Sequence, residues 1–192
     1  MDFSGVDFSK HRKGKGEFNF SQGICFQGRE CNFSRSIFGD GGVNFTFANF
    51  GQGVSFMDAN FGEGNVDFSD AQLGAYLTEF RSTIFCKGEV NFNRAKFGKG
   101  DAGFQRRPVR EGDVNFRIAN FCKGDVYFCN VNFGDGVCEF LKAKFLGKGI
   151  VSFNEAEFGE CSVEFNSVQF GDGDICFCKA PSPLSWQRRC KI

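Results

Sequence analysis

Apolar residues recur along the chain in short triplets, apolar–polar–apolar, whose last member is almost always phenylalanine. The clearest run is Phe80, Phe85, Phe92, Phe97 and Phe104, resuming as Phe116, Phe121, Phe128, Phe133, Phe140 and Phe145. The gaps therefore alternate between five and seven residues, and the pattern repeats every twelve. In one unit, Val114-Asn-Phe116 opens the first half, Ala119-Asn-Phe121 opens the second, and Cys-Lys-Gly124-Asp leads to Val126. One column of small or β-branched residues runs Val43, Val54, Val66, Thr78, Val90, Ala102, Val114, Val126, Cys138, Val151, Val163, Ile175. Its partner column runs Ala48, Ala59, Ala71, Thr83, Ala95, Arg107, Ala119, Val131, Ala143, Ala156, Val168, Ala180. A period sustained this long predicts a solenoid whose units bury their apolar faces on one another.

The alternation is that of a strand, but it lasts only three residues each time. Strands so short cannot make a hairpin sheet; they can form the sides of a coil that pairs in parallel with the coil above. Glycine follows the second Phe at Gly39, Gly51, Gly62, Gly98 and Gly134, and another precedes the next Val at Gly64, Gly88, Gly100 and Gly124. These offsets mark sharp turns, some with positive φ. A helix is a poor reading, because the apolar offsets do not hold one face and glycine interrupts every few residues. Glycine has no period of three, which excludes collagen. Disorder is excluded too, since 29 of 192 residues are Phe in fixed register and each buried Phe contributes about 1.5–3 kcal/mol.

Ala48-Asn-Phe50, Ala95-Lys-Phe97, Ala119-Asn-Phe121 and Val131-Asn-Phe133 carry a resemblance to the pentapeptide-repeat family, whose unit is small residue, Asn or Asp, Leu or Phe, then two polar residues. Every second unit here is seven residues long, which departs from that pattern. The resemblance covers residues 33–180 well and 3–32 loosely. It implies an all-β, right-handed quadrilateral parallel β-helix of about 24 residues per coil, with Phe and the small residue two before it pointing inward. Coils rising by about 4.8 Å each would make a rod of roughly 30 Å from six of them. The chain reads as one domain over 1–192: residues 1–32 an irregular first coil or cap, 33–180 regular coils, 181–192 a C-terminal cap or tail.

The irregularities are the places to look for chemistry. Phe45 to Phe56 is one residue short, Phe140 to Phe153 one long with Leu146 inserted, and Leu73 replaces a Phe. The sharpest break is Gln105-Arg-Arg-Pro-Val-Arg-Glu111, where Arg107 stands in the Ala column. Burying it would be expensive, so Arg107 is expected to turn outward. Arg106, Arg107 and Arg110 are then candidate partner contacts, against the plain reading of a tolerated surface loop. Ala180-Pro-Ser-Pro183 stops the rungs, and Leu184 and Trp186 are expected to fold over the last coil, or Trp186 to make a dimer contact.

The 23 basic and 23 acidic residues cancel. Residues 150–178 carry Glu155, Glu157, Glu160, Glu164, Asp172 and Asp174 without a compensating Lys or Arg, which makes the four glutamates candidate contacts as well. A neutral chain argues against nonspecific nucleic-acid binding. No apolar stretch is long enough to span a membrane and no signal peptide is legible, so the reading is a cytoplasmic protein with no disulfide framework. Cys138 reads as a small core residue; Cys176 and Cys178, with Cys129 two coils away, lack the paired spacing of a zinc site. A single histidine, His11, gives nucleophilic catalysis little support. No cofactor, metal or enzymatic activity is expected.

The function that follows is a non-enzymatic scaffold binding an unknown protein through an outer face, with a homodimer through a terminal coil as another arrangement. Bacterial relatives suggest the alternative: the resemblance implies a mimic of duplex DNA that binds gyrase or another topoisomerase. The neutral charge disfavours it, because such mimicry needs an acidic rod.

Overall fold

The computed structural model describes residues 1–11, 16–21, 30–85, 87–105, 112–121, 123–158 and 163–178. The chain winds as an all-parallel β-solenoid with a 24-residue coil: Val66, Val90, Val114 and Cys138 lie on successive rungs in direct register. It is a pentapeptide-repeat-like architecture, with four sides to each coil. The first side is a seven-stranded sheet of two-residue strands, from Phe18–Asn19 through Val43–Asn44 and Val90–Asn91 to Val163–Glu164. A four-stranded sheet on the second side runs from Lys96–Phe97 to Gln169–Phe170. The third side has seven strands, from Cys31–Asn32 to Ile175–Cys176. Single parallel bridges mark the fourth: Asp7 to Ile37, Ile37 to Asn60, Asn60 to Ile84, and Asn132 to Glu157.

Two kinds of corner join the sides, matching the two gaps in the sequence. At the short corner Phe-x-x-Ala forms a β-turn, as where Ala48 N donates to Phe45 O at 3.0 Å. The third turn residue is left-handed, and among the described residues it is glycine only at Gly5. Asp58, Asp70, Arg94, Ile118 and Asn130 all hold that position with φ between 55° and 58°. Glycines carry the positive φ expected of some of them at Gly39, Gly51, Gly62 and Gly134, and the short corners add non-glycine residues that the sequence did not flag. Side-chain acceptors help bend the chain, which explains the Asn, Asp and Ser between the apolar pair. Asn91 Oδ1 accepts from Asn93 N at 2.9 Å, and Asp67 Oδ1 accepts from Ser69 N at 2.8 Å.

The long corners, second to third side and fourth to first, hold the glycines for two reasons. Gly62 is left-handed at φ +66. Gly124 is not, but a Cβ there would collide with the carbonyl oxygen of Gly100 one coil away. Coil-length changes fall in these corners too. Val43 pairs with Val66, one position nearer than the repeat, and Cys138 with Val163, one farther. The shortened segment is Gly51-Gln-Gly53 and the lengthened one Leu146–Ile150, so both rungs keep their inward residues inward.

From Cys31 to Phe165 the described Phe and small-residue columns are buried in one continuous core, and at the last coil Ile175 and Phe177 become exposed. Along a side the rings stack: Phe68, Phe92 and Phe116 have centroids 5.0 Å apart and interplanar angles of 1° and 2°. Across the interior the first and third sides meet edge to face, as Phe80 and Phe92 do at 82°. Both are favoured aromatic geometries. Leu73 is fully buried in the place of a ring. Thr83, in the Ala column, donates to Phe56 O at 2.7 Å, and Thr78 to Leu73 O at 2.6 Å, so neither hydroxyl is stranded. The first residues already stack on this core, Phe3 on Phe33 and Phe8 on Phe38 at 4.8 and 5.0 Å.

Candidate interaction surface

Of the residues singled out by sequence, Arg106, Arg107, Arg110, Glu160 and Trp186 lie outside the described residues. Glu155, Glu157 and Glu164 are placed on different parts of the coil. Glu155 is exposed at the corner between third and fourth sides, with φ 56. Glu157 points out from the fourth side and accepts from Asn132 Nδ2 at 2.9 Å. Glu164 is on the first side, in register with Glu139. The acidity of the last coils is thus spread around the rod, not gathered on one face.

Reading the charge with the period of the coil shows a different segregation. The first side and its adjoining long corner present Asp40, Glu63, Asp67, Glu89, Asp113 and Glu139. Lys87, the described cation of this long corner, is paired with Glu63 at 3.4 Å. The crowding has an electrostatic consequence: burial, then the neighbouring Asp113, Asp67 and Glu139, push the Glu89 carboxyl above its ordinary pKa.

The second side is basic. Lys96 and Lys144 flank Asn120 along its outward column. Arg94, Arg117 and Lys142 line the short corner on one edge, and Lys99, Lys123 and Lys148 the long corner on the other. Arg94 grips Asp70 with two bonds of 2.9 and 2.6 Å. The other seven make no ion pair among the described residues. Asp101 and Asp125, on the same long corner, are engaged by backbone N–H groups: Asp125 N donates to Asp101 Oδ1 at 3.0 Å, and Ile150 N to Asp125 Oδ1 at 2.7 Å. Sequence reasoning missed this face because it sought charge in contiguous runs. The signal was there at 24-residue spacing, in Lys96 and Lys144 separated by two coils.

Between the acidic and basic sides runs a ridge, the short corner that carries Phe47 and Ile118. Phe47 is 59% exposed and Ile118 39% exposed. Both are left-handed, at φ 59 and 58. A β-branched or aromatic residue gains nothing from that conformation, which costs roughly 1–2 kcal/mol for an L-residue. Neither side chain enters the core in return.

A hollow of about 610 Å³ lined by Met1, Asp2, Glu30, Asn32, Gln52 and Tyr76 lies broadly open to solvent and is not an enclosed pocket; the other concavities among the described residues are smaller. On the third side, Gly103 interrupts an outward column between Glu79 and Tyr127 and leaves a notch of about 140 Å³, edged by Leu77, Arg81, Asp101 and Gln105. Small-molecule sites are typically ~300–1,000 Å³. A hydrogen bond to Asp125, with burial, pushes the Tyr127 hydroxyl up to about 12, so it remains a phenol donating to Asp125 Oδ2 at 2.6 Å. Among the described residues, no group of three or more His, Cys, Asp or Glu is placed to hold a metal ion. Cys129, Cys176 and Cys178 are free thiols. No helix among the described residues is long and apolar enough to cross a membrane.

No protein-family model matches this chain, and no curated protein matches it. Among the solved structures that resemble it are a resistance protein and a pentapeptide repeat protein. One is a trypsin-treated variant of QnrB1, a plasmid-mediated fluoroquinolone resistance protein: 15% identity, 83% of this chain, 88% of that one, TM-score 0.28. The other is HetL from the cyanobacterium Nostoc sp. strain PCC 7120, a pentapeptide repeat protein involved in heterocyst differentiation regulation: 12% identity, 88% and 85% coverage, TM-score 0.24. The architecture stated above rests on this chain's own coil and register.

Proposed function

We propose that this protein is a non-enzymatic repeat scaffold that binds another protein along the ridge between its first and second sides. The observation that carries the reading is that Phe47 and Ile118 put exposed apolar side chains at a turn position that polar or charged residues such as Asp70, Arg94 and Lys142 fill on other coils. Apolar side chains kept in solvent where the fold accepts polar ones mark a surface that makes contacts outside its own chain. The acidic side on one flank and the basic side on the other would then set the orientation of the partner. A single solenoid domain over residues 1–192 and a cytoplasmic site of action belong to the same proposal. So do Arg106, Arg107, Arg110, Glu155, Glu157, Glu160, Glu164 and Trp186 as further contacts, and a dimer through a terminal coil.

The test is affinity capture from a bacterial lysate with the wild-type chain and with Phe47→Asn combined with Ile118→Asn. A protein retained by the first and lost by the second supports the reading. Identical sets of captured proteins would overturn it.

One observation favours a second reading, binding to a topoisomerase by imitation of duplex DNA: the acidic column Asp67, Glu139 and Glu164 with its neighbouring corner. The basic second side works against it, since a DNA-like rod needs negative charge on more than one flank. Capture of gyrase at low salt, lost at high salt and lost on Glu139→Lys, would move the assignment to this reading.

A further inference from the structure

We propose that the basic second side docks on the acidic first side of a second copy of this chain, so that the protein assembles laterally, rod beside rod. It goes beyond the scaffold reading above, whose partner is a foreign protein on the ridge: here the partner is a second copy, met through the two sides.

Three observations carry it. Apart from Arg94, the cations of the second side lack ion-pair partners among the described residues, while Lys87 and Arg81 elsewhere have theirs. An array of unpaired like charges on a rigid face is complementary to an array of the opposite sign. The chain itself supplies such an array on its first side, and over the whole sequence 23 basic residues against 23 acidic leave no net charge to repel a second copy.

Spacing then favours a second copy over a foreign polyanion. Cations and anions project from the same stacked coils, whose rings repeat at 4.7 Å from Phe121 to Phe145 and 5.0 Å from Phe92 to Phe116. Lys96 and Lys144 sit two coils apart on one side, and Glu89 and Glu139, with Asp113 on the coil between them, occupy the corresponding rungs of the other. Rods laid side by side therefore match rung for rung. A partner without this rise has no reason to do so. Exposed ion pairs are individually weak and screened by salt, so the contact forms through several rungs together and is reversible.

The two sides adjoin around the ridge, which fixes the kind of assembly. Each copy offers its second side to one neighbour and its first side to another, a heterologous contact that continues until a ring closes. Phe47 and Ile118 stand on the edge shared by both sides, and such packing brings a neighbour close to them.

The experiment is sedimentation of the full chain at low and high salt, with charge-reversed variants. The wild type is expected to sediment above monomer mass at low salt and as monomer at high salt. Lys96→Glu with Lys144→Glu is expected to be monomeric alone, and Glu139→Lys with Glu164→Lys likewise. An equal mixture of these two variants should associate again, because the intact acidic side of one meets the intact basic side of the other. Recovery in the mixture also shows that neither variant had lost its fold. A wild type that stays monomeric at low salt overturns the proposal, as does association that survives both reversals. A monomer that instead binds a DNA duplex through Lys96 and Lys144 assigns the basic side to a polyanion and overturns it equally. The scaffold reading stands or falls separately, on capture of a foreign protein through Phe47 and Ile118.

Discussion

Phe97 and Phe121 lie ring on ring, with centroids 4.2 Å apart, although a full coil of chain separates them. Phe121 stacks in turn on Phe145 at 4.7 Å. Removing its ring leaves a hole that flanking rungs, fixed by their own pairing, cannot close. Phe121→Ala is expected to cost about 3–5 kcal/mol, and Asn120→Ala, outward beside it, much less. Urea unfolding of both variants checks this. Equal midpoints would contradict the inward placement of the Phe column.

The glycines divide into those the fold requires and those it does not. At Gly124 an added Cβ meets the Gly100 carbonyl, whereas at Gly103 it meets nothing within 4 Å. Gly124→Ala must push two coils apart, at a cost of about 1–3 kcal/mol. Gly103→Ala removes backbone freedom from the unfolded chain and is expected to be neutral or to stabilise by up to about 1 kcal/mol. Thermal midpoints that fall together for both variants would show that the corner contact is not what demands glycine.

Much of this arrangement was legible because a period of twelve admits few solutions. Val114, Phe116, Ala119 and Phe121 point inward as the triplet pattern required, and the two gap lengths became the two corners. Even the shortened Gly51-Gln-Gly53 and the extra residue beside Leu146 fell where the spacing put them. Other features were not legible, for physical reasons. Left-handed residues at the short corners include Arg94, Lys142 and Glu155, types with no preference for that conformation. The closure of the coil imposes it. The charge segregation was hidden because Lys96 and Lys144 are neighbours only through the fold, and a net charge of zero says nothing about sides. The break at 105–111 and the cap at Trp186 fall largely outside the described residues.

Ile118 offers a test of strain held at the ridge. Asn130 occupies the equivalent turn position at another short corner, with φ 55, and Asn tolerates the left-handed region far better than a β-branched residue. Ile118→Asn therefore relieves about 1 kcal/mol of strain but gives up the packing of a side chain that is 39% exposed, so stability is expected to stay within about 1 kcal/mol of the wild type. Chemical unfolding provides the measurement. A loss well beyond about 1 kcal/mol would mean that the side chain serves mainly to pack the rod, and would remove the main reason to assign it a partner.

Glu89 gives the acidic side a pH signature. Burial and the carboxylates of Asp113, Asp67 and Glu139 raise its pKa above the ordinary 4.5, so the folded chain holds this proton more tightly than the unfolded one. Its contribution to stability is therefore fully present below pH 4.5 and is lost as pH rises through the raised folded value. Glu89→Gln keeps the shape and removes the charge. The variant should match the wild type at the acid end and become the more stable of the two as pH climbs toward neutrality. Because both proteins share every other titrating group, including Asp2 and Asp7, whose depressed values act in the opposite sense, the difference between their melting curves isolates this carboxylate. Thermal midpoints measured from pH 4 to pH 7 decide the matter: curves that run parallel would show that the first side does not crowd its charges.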